Sequence, residues 1–222
     1  MPVITTEDME ELTATVSDPH WDYLAALQTS LSSQRQDIAI FRSALADGDA
    51  RLQQRFLDDE PVERLVRDRA RLVDTLLKTA WAAHLGEHAR EVALIAVGGY
   101  GRGELNLCSD IDILILLPKS ESAKWQPNLE RFLTFMWDIG LEVGHSVRTI
   151  DDCQRESAAD VSVATTLIES RLLTGPESLF DAMRRALAPE RVWPTKDFFE
   201  AKVAEQTARH HRYHDTAYNL EP

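Results

Sequence analysis

Gly98-Gly99-Tyr100-Gly101-Arg102-Gly103-Glu104-Leu105-Asn106-Leu107-Cys108-Ser109-Asp110-Ile111-Asp112 is the stretch on which the reading of this chain turns. It is flanked by two apolar runs, Val92–Val97 before it and Ile113–Leu117 after it. A short apolar run that ends in Gly-Gly suits a buried strand entering a tight turn. In a strand, residues i and i+2 point the same way, roughly 6.5–7 Å apart. Asp110 and Asp112 therefore project from one face, while Ile111 and Ile113 enter the core on the other. Two like charges at the mouth of an apolar strand repel unless something neutralises them. A divalent cation does so, and paired aspartates can share metal ions about 3.5–4 Å apart.

The glycines supply the complementary half. Gly98, Gly99, Gly101 and Gly103 leave the backbone free to approach a ligand closely, and consecutive N–H groups can wrap an anion. Arg102 adds a fixed positive charge suited to phosphate oxygens. Phosphates on this loop would lie beside metals on Asp110 and Asp112, an arrangement for phosphoryl or nucleotidyl transfer. Mg²⁺ is the expected ion, since it favours carboxylates together with substrate phosphates, and Mn²⁺ is the alternative. Other phosphate-binding glycine loops do not fit the letters. The P-loop needs Gly-Lys-Ser/Thr, but Glu104 follows Gly103. The dinucleotide and kinase loops need a sixth-position glycine where Glu104 stands. What remains is a Gly-Gly turn, then Asp-x-Asp on a strand.

Outward from this stretch, Leu129, Phe132, Leu133 and Met136 mark a helix ending by Gly140, and Val143–Ile150 reads as a further strand. The order β-loop-β-α-β predicts an α+β fold, a small mixed sheet flanked by helices. Upstream, apolar residues from Leu24 to Leu45 recur at helical spacing, with Gly48 as the expected stop, and Pro61 opens a second helical stretch towards Gly86. Downstream, Val161–Ser170, Glu177–Leu187 and the segment from Thr195 read as helices. The expected organisation is a poorly ordered terminus over 1–20, a helical annex over 21–88, a core over 89–190 and a C-terminal helix over 191–222. Trp81, Phe132 and Trp137 are expected on core faces of helices; His145 suits the core better than the alternative, a reach to the site. Arg148 suits either a phosphate contact or a structural ion pair. His210, His211 and His214 lie close together, and a solvated or nucleotide-proximal role fits them better than a zinc site.

Composition narrows the class. The chain has 222 residues, 44% of them hydrophobic and 27% charged, which suits a globular protein with a sizeable core. Its net charge is −13, with 24 Lys+Arg against 37 Asp+Glu, which argues against a grip on a nucleic-acid backbone. Two cysteines, Cys108 and Cys153, make no disulfide framework and point to a reducing compartment. The acidic start lacks a secretory signal, and the apolar runs are too short to span a bilayer. A cytoplasmic protein without a membrane partner is expected.

The motifs together resemble those of the nucleotidyltransferase superfamily that includes DNA polymerase beta. Within it, Gly98–Leu105 with Ser109-Asp110-Ile111-Asp112 is similar to the bacterial PII-protein uridylyltransferase/uridylyl-removing enzymes. So are Trp137–Thr149, Ala164–Leu173 and Arg212–Pro222. The resemblance implies a DNA polymerase beta-like fold and transfer of UMP from UTP to a tyrosine of the PII nitrogen-signalling protein. It implies Asp110 and Asp112 as catalytic metal ligands. Gly98, Gly99, Gly101, Arg102, Gly103 and Ser109 are the expected nucleotide-binding residues. In the family an aromatic residue commonly precedes the Ser-Asp, so Cys108 reads as a loop variant rather than a nucleophile. The superfamily often has a third acid on the strand after the helix; here Gly144-His-Ser-Val-Arg148 has none, leaving Glu142, Asp151 or a two-acid site. Full-length family members add an HD phosphohydrolase that removes UMP and glutamine-sensing ACT domains, so this sequence is expected to be the amino-terminal piece of a longer enzyme. Two alternatives stay open: transfer to another acceptor, and a fragment that binds nucleotide without transferring it.

Overall fold

The computed structural model describes residues 23, 26–31, 36–107, 109–118 and 122–212. The expectations for residues 1–20 and for the motif beyond Arg212 lie outside these residues. In chain order the elements are α1 (Ile38–Leu57), α2 (Val62–Leu85), β1 (Ala93–Ala96) and the single helical turn α3 (Gly98–Gly101). Then come β2 (Ile111–Leu117), α4 (Gln126–Asp138), β3 (Val143–Thr149), α5 (Ile150–Ala159) and α6 (Val161–Ile168). The chain continues through β4 (Arg171–Thr174), α7 (Glu177–Ala186), α8 (Pro189–Val192) and α9 (Thr195–Arg212).

The four strands form one mixed sheet in the order β3-β2-β1-β4. Strand β1 pairs antiparallel with β2 and β4, and β2 pairs parallel with β3. Parallel neighbours need a crossover, and α4 provides it. The alternation of β2 sorts its side chains between two hydrophobic clusters. Ile111, Ile113, Ile115 and Leu117 join a cluster with Phe41, Leu76, Trp81, Phe132 and other residues of α1, α2 and α4. Leu114 and Leu116 face the opposite way, against Cys153, Leu167, Phe180 and Met183 of α5, α6 and α7. The sheet is thus covered on both faces, which gives the small flanked mixed sheet that the sequence predicts. Each fully buried Leu or Ile contributes roughly 1.5–3 kcal/mol relative to exposure. Among the described residues no helix is long and apolar enough to cross a membrane.

Several local expectations are corrected. The first helical stretch does not stop at Gly48. Asp37 caps a helix start, its carboxylate accepting from the N–H groups of Ala39 and Ile40 at 2.9 and 3.3 Å, and α1 then runs on to Leu57. Gly48 is a packing residue: a Cβ there would stand 2.3 Å from Leu72 Cδ2. It brings α1 close to α2 along the buried stripe Phe41, Ala44, Gly48, Leu52. Strand β4 falls between Val161–Ser170 and Glu177–Leu187, a stretch to which the sequence assigns no strand; its four residues, Arg-Leu-Leu-Thr, are too few for a period to register. Trp137 is 57% exposed, and His145 is also exposed, their rings 6.4 Å apart. Both lie by β3, which is the edge of the sheet, so the core placement expected for them fails. Trp81 and Phe132 are fully buried and meet edge to face at 5.1 Å.

The turn from β4 into α7 gives a direct test of the packing. Gly175 has φ +116°, and a Cβ there would lie 2.5 Å from the Val92 carbonyl oxygen. Backbone strain and overpacking act together, so Gly175→Ala is expected to destabilise by about 2–4 kcal/mol. Urea denaturation should show this as a lowered midpoint with an unchanged slope; an unchanged midpoint would contradict the packing described.

Candidate active site

Asp110 is exposed just ahead of β2, and Asp112 is the second residue within it, between the buried Ile111 and Ile113. The carbonyl of Asp112 accepts a hydrogen bond from the N–H of Val97 at 3.1 Å, which ties the aspartate strand to the entry of the glycine turn. On its other side, the parallel register sets Asp112 beside Gly144 of β3. A Cβ on Gly144 would stand 2.4 Å from Asp112 Oδ1, so the missing side chain is what gives the carboxylate room. A Cβ on Gly98, at φ +60°, would lie 4.0 Å from Asp112 Oδ2 and from Thr166 Cγ2. The Asp112 carboxylate therefore lies between the Gly98 turn and the edge strand.

The electrostatics of the pair agree with this geometry. Partial burial, and secondly the charge of Asp110, push the Asp112 carboxyl up from its ordinary value of 3.8. No lysine or arginine among the described residues pairs with either acid. A repelling carboxylate pair without an internal cation fits a divalent metal ion, which would be held by Asp110 and Asp112. No third His, Cys, Asp or Glu joins them in a metal-holding group among the described residues, Glu142 and Asp151 included. The remaining coordination positions would then fall to substrate oxygens and water, the usual arrangement for Mg²⁺.

The glycine stretch is a helical turn rather than an open loop. Its internal bonds return the N–H groups of Gly101, Arg102, Gly103 and Glu104 to the carbonyls of Val97, Gly98, Tyr100 and Gly99 at 3.0, 3.2, 3.0 and 3.3 Å. The N–H groups of Gly98 and Gly99 have no backbone acceptor among the described residues. Neither has the N–H of Tyr100, so three consecutive donors of the turn, two of them on glycines, are left to meet an anion. Gly101 is buried, and a Cβ there would fall 1.8 Å from the Glu169 carbonyl oxygen, so close packing on the end of α6 requires glycine. Arg102 is half exposed, its Nη1 donating to Glu169 Oε2 at 2.7 Å and its Nε 3.6 Å from Glu104 Oε2. Ser109 is exposed, its N–H donating to the Asn106 carbonyl at 3.1 Å. The structure thus sets Gly98 close to Asp112, with Gly99 next to it in the turn, and turns Gly101 and Arg102 towards Glu169.

The residues that support this site are mostly ones the sequence did not single out. The Tyr100 hydroxyl donates to Asp74 Oδ1 at 2.7 Å, and Arg171 donates to both Asp74 oxygens at 2.6 and 3.1 Å. Arg69, itself buried, donates to Asp49 at 3.1 Å and to the Asn106 carbonyl at 2.9 Å. The N–H of Leu105 donates to the Val66 carbonyl at 3.1 Å. Helix α2 therefore grips the turn at Tyr100 and the stretch between it and β2 at Leu105 and Asn106. A polar residue inside the apolar stripe of α2 is the only sequence trace of Asp74. Arg148 forms an ion pair with Glu156 at 2.8 Å, the structural alternative of the two expected for it. Cys153 is buried in the core, which pushes its thiol up to about 12; Cys108 and the side chains of His210, His211 and His214 lie outside the described residues.

With this geometry in place, comparison with known proteins defines the class. Residues 82–173 match the nucleotidyltransferase domain family, and the chain carries such a domain. Over 92% of its length it is similar to proteins named bifunctional uridylyltransferase/uridylyl-removing enzyme: 46% identical to that of Pseudomonas fluorescens strain Pf-5, 47% to that of Pseudomonas putida strain W619 and 46% to that of Nitrosococcus oceani. The resemblance read from the motifs thus extends across nearly the whole chain, which spans 23% of the length of these relatives.

The raised Asp112 carboxyl carries a stability consequence. A folded-state acid with a raised pKa contributes stability below its unfolded value and loses it as pH rises through the folded one. At pH 7, without divalent ions, the ionised pair is a net cost. Asp112→Asn is therefore expected to melt at or above the wild-type temperature at pH 7, with the difference shrinking as the pH is lowered towards 4. A lower melting temperature at pH 7 would contradict the repulsion described.

Proposed function

We propose that this chain transfers UMP from UTP to a tyrosine hydroxyl of the PII nitrogen-signalling protein and releases pyrophosphate. The observation that carries the nucleotidyl-transfer part is the Asp112 carboxylate beside Gly98, the first of two glycines with free N–H groups. The choice of UMP is supported by the names of the relatives. The PII acceptor is supported by the motif resemblance. The acidic charge of −13 suits a protein acceptor better than a nucleic acid. A cytoplasmic setting belongs to the same reading.

The protein contributes position and charge rather than a covalent intermediate. The N–H groups of Gly98 and Gly99 bind phosphate oxygens, and the glycine at 98 lets the backbone take the φ of +60° that brings them near the acids. Asp110 and Asp112 would hold the divalent ion, Mg²⁺ or in its place Mn²⁺. Gly144 keeps the space beside Asp112 open. Arg102 exchanges its Glu169 partner for a phosphate oxygen, and Ser109 lies at the approach to the acids. A metal ion held there by Asp110 and Asp112 would supply positive charge to activate the tyrosine oxygen and to offset charge on the α-phosphate and the leaving pyrophosphate.

The test is to incubate the chain with PII, Mg²⁺ and α-labelled UTP, GTP or ATP. Label is expected on PII from UTP alone. Asp112→Asn is expected to lower the rate by at least about a hundredfold without loss of fold, as removal of a charge-stabilising group does. Label on a small hydroxyl or amine compound but not on PII would move the reading to another acceptor. UTP binding without transfer to any acceptor would make the chain a nucleotide-binding fragment. Wild-type rates for Asp112→Asn would overturn the site.

A further inference from the structure

The N–H groups of Gly98 and Gly99, without a backbone acceptor among the described residues, are useful only if they point at one place, and α3 is a single turn that has little stiffness of its own. What holds it lies on two other elements. Tyr100, the residue after the glycine pair, is 2% exposed and tied at both ends. Its hydroxyl donates to Asp74 Oδ1 at 2.7 Å, and its carbonyl accepts from Arg171 Nη2 at 3.3 Å. Arg171 Nη1 and Nη2 reach the two Asp74 oxygens at 2.6 and 3.1 Å, and the guanidinium carbon lies 5.5 Å from the centre of the Tyr100 ring. Asp74 belongs to α2 and Arg171 opens β4, so the triad joins a helix, a strand and the turn. The side chain of Asp74 is 13% exposed, and charge-assisted bonds at such a site are stronger than neutral ones. Burial, and secondly the Asp74 charge, hold the Tyr100 hydroxyl well above its ordinary value, so it remains a donor.

We infer that Asp74, Tyr100 and Arg171 are positioning residues through which α2 and β4 aim the Gly98 and Gly99 N–H groups at the nucleotide's triphosphate. The inference rests on the nucleotidyl-transfer reading above and deepens it. Asp74 precedes the stretch that matches the nucleotidyltransferase family, so helix α2 contributes to nucleotide binding from outside that stretch. None of the three touches the reacting atoms. Their effect is selective, because they fix the donors for the triphosphate and nothing for the acceptor protein. A merely structural role would weaken both substrates alike.

The test compares wild type, Tyr100→Phe and Asp74→Asn in the same chain. Tyr100→Phe removes one hydroxyl and keeps the buried ring, so it folds even if Asp74→Asn does not. The expected result is a rise of about tenfold in KM for UTP, with KM for PII within twofold of wild type. Equilibrium dialysis of Mg²⁺ and UTP should show the same rise in Kd without any acceptor. Affinity for UTP unchanged in a folded variant would overturn the inference and leave the proposed function standing. An equal rise in both KM values would also overturn it. Loss of UTP affinity in the variants of a chain that labels no PII would uphold the inference and overturn the acceptor. A wild-type chain that binds no UTP would overturn both.

Discussion

A single backbone hydrogen bond, from the Val97 N–H to the Asp112 carbonyl at 3.1 Å, links the two halves of the site. It extends the antiparallel pairing of β1 with β2 by one step, so the residue that enters the glycine turn lies across from the residue that carries the carboxylate. Everything the site does depends on that juxtaposition. The turn can open towards the acids only because Gly98 adopts a left-handed φ, and the carboxylate has space only because β3 presents Gly144 beside it. Two glycines and one strand pairing thus set the gap into which phosphates and metal would fit.

The turn itself is clamped from both sides. On one side Gly101 packs against the Glu169 carbonyl, with Arg102 bound to the same residue's carboxylate. On the other, Tyr100 reaches Asp74. Both contacts lean on a continuous core: Leu72, Leu76 and Trp81 of α2 share one hydrophobic cluster with Ile111, Ile113 and Ile115 of β2. A helix packed this way transmits its position to the turn with little slack, since close-packed interiors yield poorly to displacement.

The sheet was legible in the sequence wherever a period or a glycine spoke. The apolar runs around Gly98-Gly99 and Asp110-Ile111-Asp112, the crossover helix over Leu129–Met136 and the strand after it are all present. The closeness of the two acids follows their i, i+2 spacing, and the charge of Asp110 reaches Asp112; it was their conjunction with the glycine turn that suggested a cation. Other features depend on tertiary contact and leave no local trace. Gly48 looks like a helix stop, yet its role is set by Leu72 on another helix. Trp137 and His145 look like core residues, but β3 turned out to be the sheet edge, which no single segment reveals. Asp74 stands 26 residues before the tyrosine it holds, and 97 before its arginine. Pairings that distant are fixed by topology, not by spacing.

The central claim is that Asp110, Asp112 and the Gly98–Gly99 turn make one site in which carboxylates and N–H groups share a metal-bound triphosphate. Its most direct test is calorimetric titration of the chain with UTP in the presence and absence of Mg²⁺. The account predicts binding that strengthens by at least about tenfold with the ion, because two acids with no third protein ligand among the described residues hold the metal well only together with phosphate oxygens. Equal affinity with and without Mg²⁺ would contradict it.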